Sequence, residues 1–330
     1  MKVVVTHWVH PEVRAHLQRF ATIRVPEHPG VVWSREQVIA EASDAEALIT
    51  SMADTVDAAL LAACPRLRII AATLKGYDNY DAEACTRAGV WLCIVPDTII
   101  APTAELTIGL TLDLLRNIRH GDAVVRGGHF AGWRPQLYGA TLRGAAVGII
   151  GMGQLGTAVA DLLAPFGIAR LRYTDQHKAS ATSPCGTIYE QVELAELMSN
   201  STVVLTLLPL TTSTHHLIDA QALARLRPAS YLINVGRGSV VDEHAILDAL
   251  DNGRLAGYAA DVFEMEDWAL PTRPDRIPPR LRQHPHTTFT PHLGSAVDSV
   301  RRAMSLTAAE QVRQALHGQP PHHAVNTTMA

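Results

Sequence analysis

Apolar and polar positions follow two different periods along the first hundred residues. Short β-branched or apolar runs predict strands, and the stretches between them have the period of helices. Ser34 and Gln37 have the capping-box pattern that begins a helix. Strands that alternate with helices indicate a parallel sheet covered on both faces. The predicted strands cover residues 2–6, 22–25, 47–51, 68–73 and 90–95, and the predicted helices cover 11–20, 35–42, 56–63 and 81–88.

The same alternation resumes after a long helical pattern over 102–120 and a loop over 127–139. Six candidate strands follow, which is the number of strands in a complete dinucleotide-binding sheet. A last long helix is predicted over 296–318, and residues 319–330 are predicted to form an extended arm. The six strands cover residues 145–150, 169–174, 202–207, 230–234, 256–260 and 287–290.

A glycine-rich turn follows the first of these six strands. Gly151, Gly153 and Gly156 have the spacing G-x-G-x-x-G between an apolar run and a helical stretch. In a dinucleotide-binding turn, the first glycine permits the tight turn, the second admits a pyrophosphate, and the third lets the helix pack closely. The phosphates then lie at the helix N-terminus, where unpaired N–H groups favour anions. The first half of the chain has no such turn and is predicted to bind no nucleotide.

Asp175 follows the second strand of this half, nineteen residues after Gly156. A carboxylate at this place hydrogen-bonds the 2′-hydroxyl of the adenosine ribose and repels a 2′-phosphate. The sequence therefore predicts NAD rather than NADP as the cofactor. The alternative is a solvated aspartate in a turn.

Three polar side chains follow three of the later strands. Arg237, Glu266 and His292 each lie in a short segment after a predicted strand. Because ligands bind at the carboxyl ends of strands in such sheets, we expect the three to converge on the nicotinamide end of the site. Arg237 can hold an anion, His292 can move a proton near neutral pH, and Glu266 can orient it. Any one alone would more often be a structural residue, but three at successive strand ends indicate chemistry.

Composition limits these interpretations. The chain has 330 residues and a mass of 35.7 kDa, which favours two domains. A net charge of −4 argues against nucleic acid as the main partner. The apolar run at the start is too short for a signal peptide, and no stretch predicts a membrane span. No metal site is predicted, and reduced thiols in a cytoplasmic protein are expected at Cys64, Cys85, Cys93 and Cys185.

The segments 151–156, 234–238, 261–266 and 291–294 resemble those of the D-2-hydroxyacid dehydrogenases, and the resemblance covers nearly the whole chain. It implies an α/β protein with two doubly wound parallel sheets. A Rossmann NAD-binding domain over 100–290 is inserted into a flavodoxin-like substrate domain over 1–99 and 291–330, which explains the mid-chain glycine turn. The resemblance also implies a homodimer, with the catalytic residues Arg237, Glu266 and His292.

Within this family, the chain looks most like the phosphonate (phosphite) dehydrogenases. The likeness rests on segments 132–139, 264–268 and 273–274, and on Met52, Lys75 and Arg301. Lys75 and Arg301, together with Arg237, would place three positive charges around one substrate. Three charges favour a small ligand of higher charge than a carboxylate. The resemblance implies oxidation of phosphite to phosphate by NAD, with water as the nucleophile and His292 as the base.

Two other functions stay open from the sequence. An ordinary D-2-hydroxyacid dehydrogenase or glyoxylate reductase would use His292 and Arg237 on a carboxylate. An NAD-sensing corepressor would bind the cofactor without turnover.

The resemblance also assigns contacts residue by residue, with alternatives. Lys75 could be a surface lysine, Arg301 could form an ion pair on a helix surface, and Trp133 and Tyr138 could pack a domain or dimer interface. The expected substrate contacts are Met52, Lys75, Gly76, Trp133, Tyr138 and Arg301. The expected cofactor contacts are Lys75, Thr103, Gly151, Gly153, Gln154, Leu155, Gly156, Asp175, Pro209, Val235, Arg237, Asp261, His292 and Gly294.

Overall fold

The structure, a computed structural model, describes residues 1–95, 97–176, 186 and 188–328. It divides into two compact units: Met1–Ile99 together with Ala296–Ala330, and Ile100–Ser295. The first unit is therefore built from both ends of the chain. The sequence placed the second boundary after residue 290, whereas the structure has it after Ser295. Cys185 lies outside the described residues.

Strands and helices alternate in both units. The strands are β1 (Lys2–Val5), β2 (Thr22–Arg24), β3 (Ala47–Thr50), β4 (Ile69–Ala72), β5 (Trp91–Cys93), β6 (Ala146–Ile150), β7 (Arg170–Thr174), β8 (Tyr189–Gln191), β9 (Val203–Thr206), β10 (Ser230–Asn234), β11 (Leu255–Ala260) and β12 (Thr287–Phe289). The helices are α1 (Pro11–Gln18), α2 (Arg35–Ala42), α3 (Ala58–Ala63), α4 (Ala82–Arg87), α5 (Ile100–Arg116), α6 (Ile118–Arg126), α7 (Gln154–Leu163), α8 (Leu194–Asn200), α9 (Ala220–Ala224), α10 (Glu243–Asp251), α11 (Pro279–Arg282) and α12 (Asp298–Leu316). Short 3₁₀ helices cover Ala164–Phe166, Gly238–Val240 and Glu264–Glu266.

In the first unit, the described strands form one parallel sheet in the order β2-β1-β3-β4-β5. This is the strand order of flavodoxin-like folds, so the fold predicted for this unit is confirmed. Both faces of the sheet are covered, which explains the unbroken apolar strands. Val3 and Val5 pack on the side of α1 and α12, and Val4 packs on the side of α2 and α3.

In the second unit, the described strands form a parallel sheet in the order β12-β11-β10-β9-β6-β7-β8. Counted from β6, this is the dinucleotide-binding order with β12 added at one edge, and the Rossmann prediction is confirmed. The sequence missed β8, a strand of 3 residues in which only Tyr189 is buried. Glu190 and Gln191 are exposed there, so the strand has no apolar run that could have revealed it.

The long helix predicted over 102–120 is two helices, α5 and α6. They meet at Asn117, which has a left-handed φ of 53°. Asparagine tolerates this conformation better than most residues. The chain returns to this point, where the Ala140 N–H donates to the Leu115 carbonyl at 2.8 Å. An added Cβ on Gly139 would lie 2.0 Å from the same oxygen, so this close approach requires glycine.

The cysteines among the described residues are buried free thiols, namely Cys64, Cys85 and Cys93. Burial raises the pKa of Cys85 and of Cys93 to about 12, so neither thiol ionises near neutral pH. Within the described ranges, no helix has the length and apolar character needed to cross a membrane. No group of His, Cys, Asp and Glu side chains in the same ranges could hold a metal ion.

Candidate active site

The glycine turn lies between β6 and α7 in the second unit. Gly151 has a φ of +98°, and an added Cβ on Gly156 would lie 2.1 Å from the Gly151 carbonyl oxygen. The chain packs too closely at these two positions for a side chain. Gly153 is the N-cap of α7, and an added Cβ there would meet nothing within 4 Å. The backbone at Gly153 is therefore open to a ligand at a helix N-terminus, as an approaching pyrophosphate requires.

Asp175 follows β7 beside this turn. Its Oδ2 accepts a hydrogen bond from the Met152 N–H at 2.6 Å, and its carbonyl accepts one from Gln191 Nε2 at 3.0 Å. A groove of about 950 Å³ is lined by Asp175 and Pro209, among others. This volume lies in the range of small-molecule and cofactor sites. The groove, the carboxylate and the open backbone at Gly153 together fit the adenosine and phosphates of a dinucleotide.

Arg237 follows β10 in a turn that side chains and packing fix. Asn234 Nδ2 donates to the Arg237 carbonyl at 3.0 Å, and Asn234 Oδ1 accepts from the Gly236 N–H at 3.1 Å. An added Cβ on Gly236 would lie 2.4 Å from the Leu208 carbonyl oxygen, so this position requires glycine. The Arg237 side chain is half-buried, and its Nη1 donates to the Gly236 carbonyl at 3.1 Å.

His292 and Glu266 form a direct pair. His292 Nδ1 lies 2.7 Å from Glu266 Oε2, and each side chain is 28% exposed. The other carboxylate oxygen, Oε1, accepts from the Phe263 N–H at 2.9 Å, which anchors the glutamate to its own turn. Because Glu266 accepts a hydrogen bond from Nδ1, Nε2 is the ring nitrogen that can exchange a proton with a substrate.

A buried aspartate holds the loop that carries His292. Asp261 is 2% exposed and accepts hydrogen bonds from Thr290 Oγ1 at 2.6 Å, from the Leu293 N–H at 2.6 Å and from the Gly294 N–H at 2.9 Å. Burial raises the pKa of Asp261 in spite of these bonds. His292 has a left-handed φ of 55°. Such a conformation costs a non-glycine residue about 1–3 kcal/mol, and the Asp261 contacts hold the loop in it.

Arg237, Glu266 and His292 lie on the same edge of the second sheet. They follow β10, β11 and β12, which are neighbouring parallel strands, so their segments leave the sheet at adjacent carboxyl ends. This edge of the sheet thus carries a guanidinium and a histidine–glutamate pair.

The predicted substrate contacts Met52, Lys75 and Gly76 lie in the first unit, in loops that follow β3 and β4. One asparagine fastens this region: Asn79 Nδ2 donates to the Met52 carbonyl at 3.2 Å and to the Asp54 carbonyl at 2.6 Å. Met52 also packs against the core beneath the sheet. The loops at the carboxyl edge of the first sheet are therefore held by buried contacts.

Arg301 lies in the first turns of α12, also in the first unit. Burial lowers the pKa of its guanidinium, and within the described residues no carboxylate pairs with it. His7, in the loop after β1, has its pKa lowered to about 4 by burial and by the charge of Arg301. Since a neutral histidine contributes no charge, Arg301 is a cation in a poorly solvated place, and none of the described residues supplies it with a countercharge. Such a place favours an anionic ligand.

The remaining predicted contacts lie in the second unit. An added Cβ on Gly294 would lie 3.0 Å from Thr103 Oγ1, so the α5 helix and the His292 loop touch there. Gln154 and Leu155 form the first turn of α7, and Val235 is buried after β10.

Trp133 and Tyr138, which were predicted to touch substrate, are 78% and 79% exposed in this chain. They lie in the segment after α6, together with the exposed Phe130 and Leu137.

Sequence reasoning missed the residues that hold the site. Thr290 binds Asp261, and Glu243 and Asp267 are buried acids that accept backbone N–H groups from the turns around Arg237 and Glu266. An acidic residue directly before an apolar helical run usually indicates only helix capping. Burial is the signal that reveals these residues, and it is visible only in the structure.

Comparison with known proteins agrees with this architecture. Residues 108–294 match the model of the D-isomer specific 2-hydroxyacid dehydrogenase, NAD binding domain. A glyoxylate reductase of Aeropyrum pernix is 33% identical over 341 residues, covering 98% of this chain and 96% of the relative. A glyoxylate reductase of Pyrococcus furiosus is 33% identical over 297 residues, covering 88% and 85%. The crystal structure of the TT0316 protein from Thermus thermophilus superposes with a TM-score of 0.89 at 30% identity, covering 98% of this chain and 100% of that one.

The fold and the site define an NAD-dependent oxidoreductase with a separate dinucleotide-binding unit. The chain belongs to the D-isomer specific 2-hydroxyacid dehydrogenase family, and its second unit is the NAD-binding domain of that family.

Proposed function

We propose that this protein interconverts a small 2-hydroxy acid and its 2-oxo acid with NAD. The observation that carries the proposal is the 2.7 Å pair of His292 and Glu266 on the same sheet edge as Arg237. The relatives named above are glyoxylate reductases, and they support this substrate class over phosphite, which the sequence alone favoured. Glyoxylate is accordingly the first 2-oxo acid to test.

The roles follow from the chemistry of each group. NAD supplies the acceptor or donor of hydride. Arg237 binds the substrate carboxylate with its planar donor fork. During oxidation, His292 Nε2 takes the hydroxyl proton as the hydrogen on carbon leaves as hydride. During reduction, protonated His292 returns a proton to the carbonyl oxygen. Glu266 holds the ring in place through its contact with Nδ1.

We retain the oxidation of phosphite as a second proposal, because Arg301 is a half-buried, poorly solvated cation without a carboxylate partner among the described residues. Phosphite is mostly a dianion at neutral pH and needs more positive charge than a carboxylate. Lys75, Arg237 and Arg301 would supply it, and His292 would take the proton of the attacking water. A bond would form between the water oxygen and phosphorus as the bond from hydrogen to phosphorus breaks, and NAD would accept the hydride, which leaves phosphate. Met52 and Gly76 stay predicted substrate contacts of the first unit.

Direct assays separate the two proposals. NADH formation is measured with phosphite, D-lactate and D-glycerate, and NADH consumption with glyoxylate. Turnover of phosphite alone would overturn the 2-hydroxy acid proposal, and turnover of hydroxy or oxo acids alone would overturn the phosphite proposal. Lys75→Ala is expected to lower phosphite turnover strongly and hydroxy acid turnover little. Binding of NAD without turnover of any of these compounds would favour a corepressor instead.

We also propose that the protein forms a homodimer through the segment around α6. Helix α6 buries none of its residues in this chain. Two of them, Ile118 and Val125, are apolar side chains that are more than half exposed. Phe130, Trp133 and Tyr138 in the segment after α6 are also more than half exposed, and exposed apolar patches mark interaction sites. Trp133→Ser with Phe130→Ser should shift the mass measured by light scattering from dimer to monomer. A monomeric wild-type protein at micromolar concentration would contradict the proposal.

A further inference from the structure

Glu243 and Glu264 exchange hydrogen bonds through their backbones. The Glu243 N–H donates to Glu264 Oε1 at 2.8 Å, and the Glu264 N–H donates to Glu243 Oε1 at 3.0 Å. Glu243 begins α10 and is 2% exposed, whereas Glu264 begins the 3₁₀ turn after β11. We call this reciprocal pair the glutamate clasp. It connects two segments whose glutamates are 21 residues apart in sequence.

Two further contacts lie beside the clasp and join the same segments. Ser239 N–H donates to Asp267 Oδ2 at 2.6 Å, and both residues are buried. An added Cβ on Gly238 would lie 1.9 Å from the Phe263 carbonyl carbon, so the backbones touch there without side chains. The turn after Arg237 and the turn that contains Glu266 therefore form one packed assembly.

The turn held by the clasp carries the partner of the histidine. Glu266 lies two residues after Glu264, and its Oε1 accepts from the Phe263 N–H of the same turn. Its Oε2 is the atom that contacts His292 Nδ1. A displacement of this turn would therefore move the carboxylate away from the ring.

The clasp is costly to maintain. Glu243 Oε2 is buried without a hydrogen-bond partner among the described residues, and the carboxylates of Glu264, Glu266 and Asp267 face Glu243. Burial, with these charges, raises the pKa of Glu243 to about 7. The hydroxyl of Tyr258 also lies close enough to feel its charge. A buried acid among like charges lowers the stability of the folded protein. Residues that lower stability in this way are typical of functional sites.

We propose that Glu243 is a positioning residue, which acts through the clasp to hold the Glu264–Glu266 turn so that Glu266 meets His292. The proposal rests on the catalytic roles of Glu266 and His292 in the proposed function. It predicts that the neutral, isosteric Gln supports catalysis, because one carbonyl oxygen still accepts from the Glu264 N–H. Shorter side chains cannot span the gap.

The test compares Glu243→Gln, Glu243→Asp and Glu243→Ala in the full chain, with whichever substrate the wild-type enzyme turns over. We expect kcat to fall about 10- to 100-fold for Asp and Ala, because small misplacements of catalytic groups have effects of that size. The KM for NAD should stay within about twofold, since the glycine turn and Asp175 are separate from the clasp. Gln should keep kcat within about threefold and hold it to higher pH than wild type, since it cannot ionise.

Asp242→Ala is the matched control. Asp242 caps the same helix by accepting from the His244 and Ala245 N–H groups at 2.9 and 3.1 Å, but it does not touch the clasp. It should lower Tm and leave kcat unchanged. If Glu243→Asp and Glu243→Ala behave like this control, or if Gln is as impaired as Ala, the positioning role is refuted.

A substrate-free measurement separates this proposal from the proposed function. Hydrogen exchange at residues 263–267 should accelerate in Glu243→Ala and stay slow in Glu243→Gln. If the wild-type protein turns over no substrate, the proposed function fails, and unchanged exchange in Glu243→Ala would then refute the clasp as well. Faster exchange confined to these residues would support the clasp even without an assay.

Discussion

The substitution Glu243→Gln should change how the stability of this protein depends on pH. The carboxyl of Glu243 is 2% exposed, and burial with nearby negative charge raises its pKa from 4.5 to about 7. At a pH between these two pKa values, Glu243 keeps its proton in the folded protein and has lost it in the unfolded chain. The free energy of unfolding therefore falls as the pH rises through this window, and it is flat above it with respect to this group.

The size of the effect follows from the shift. The difference between the two pKa values of Glu243 corresponds to about 3 kcal/mol. Gln cannot ionise, so the variant lacks this loss. The stability of Glu243→Gln minus that of the wild type should rise by about 3 kcal/mol between pH 4 and pH 8. A constant offset, from burying an amide N–H₂ group, does not alter that slope.

Urea unfolding of the full chain at several pH values measures this difference. Because two units unfold, the transition of the second unit is followed by hydrogen exchange of β10 and β11. Parallel curves for wild type and Glu243→Gln would show that Glu243 is already ionised at neutral pH. The account of the clasp as a neutral acid would then be refuted.

Three other predictions concern the site. His292→Asn should lower kcat about 10²- to 10⁴-fold with NADH binding retained, as measured by fluorescence titration; a loss below tenfold would refute its role as acid and base. Asp175→Ala should raise kcat/KM for NADP relative to NAD about tenfold or more, as removal of roughly 1.4 kcal/mol of repulsion requires, and an unchanged ratio would contradict it. Gly238→Ala should lower Tm, because overpacking costs about 1–3 kcal/mol. Gly153→Ala should keep Tm, because an added Cβ meets nothing there, and should weaken NAD binding. Equal effects of the two substitutions on Tm would count against the packing argument.

The sequence predicted the fold well because the determinants of the fold are local. Apolar runs such as Val3–Val5 reveal buried strands, and the glycine spacing identifies the dinucleotide-binding turn before any contact is known. The two parallel sheets follow from alternating strands and helices, since parallel strands need crossover connections, whereas their strand orders were implied by the family resemblance.

Other features depended on contacts between residues distant in sequence. The break at Asn117 occurs where the chain returns at Gly139 and Ala140, and no pattern inside the helix indicates it. Glu243 looks like an ordinary acid at a helix start, and its burial arises from a turn that begins 21 residues later. The substrate was the least predictable feature, because Lys75 and Arg301 carry charge that either a dianion or a carboxylate can use.

The split of the first unit between both ends of the chain affects how this protein is synthesised. Residues 1–99 emerge from the ribosome well before α12, yet one face of their sheet is covered by Ala308 and Val312 of that helix. At about 5–20 residues per second, that face waits roughly 10 to 40 s for its cover. The second unit is contiguous and can fold within that interval. We therefore expect early chain termination to expose an apolar sheet face and to recruit chaperones.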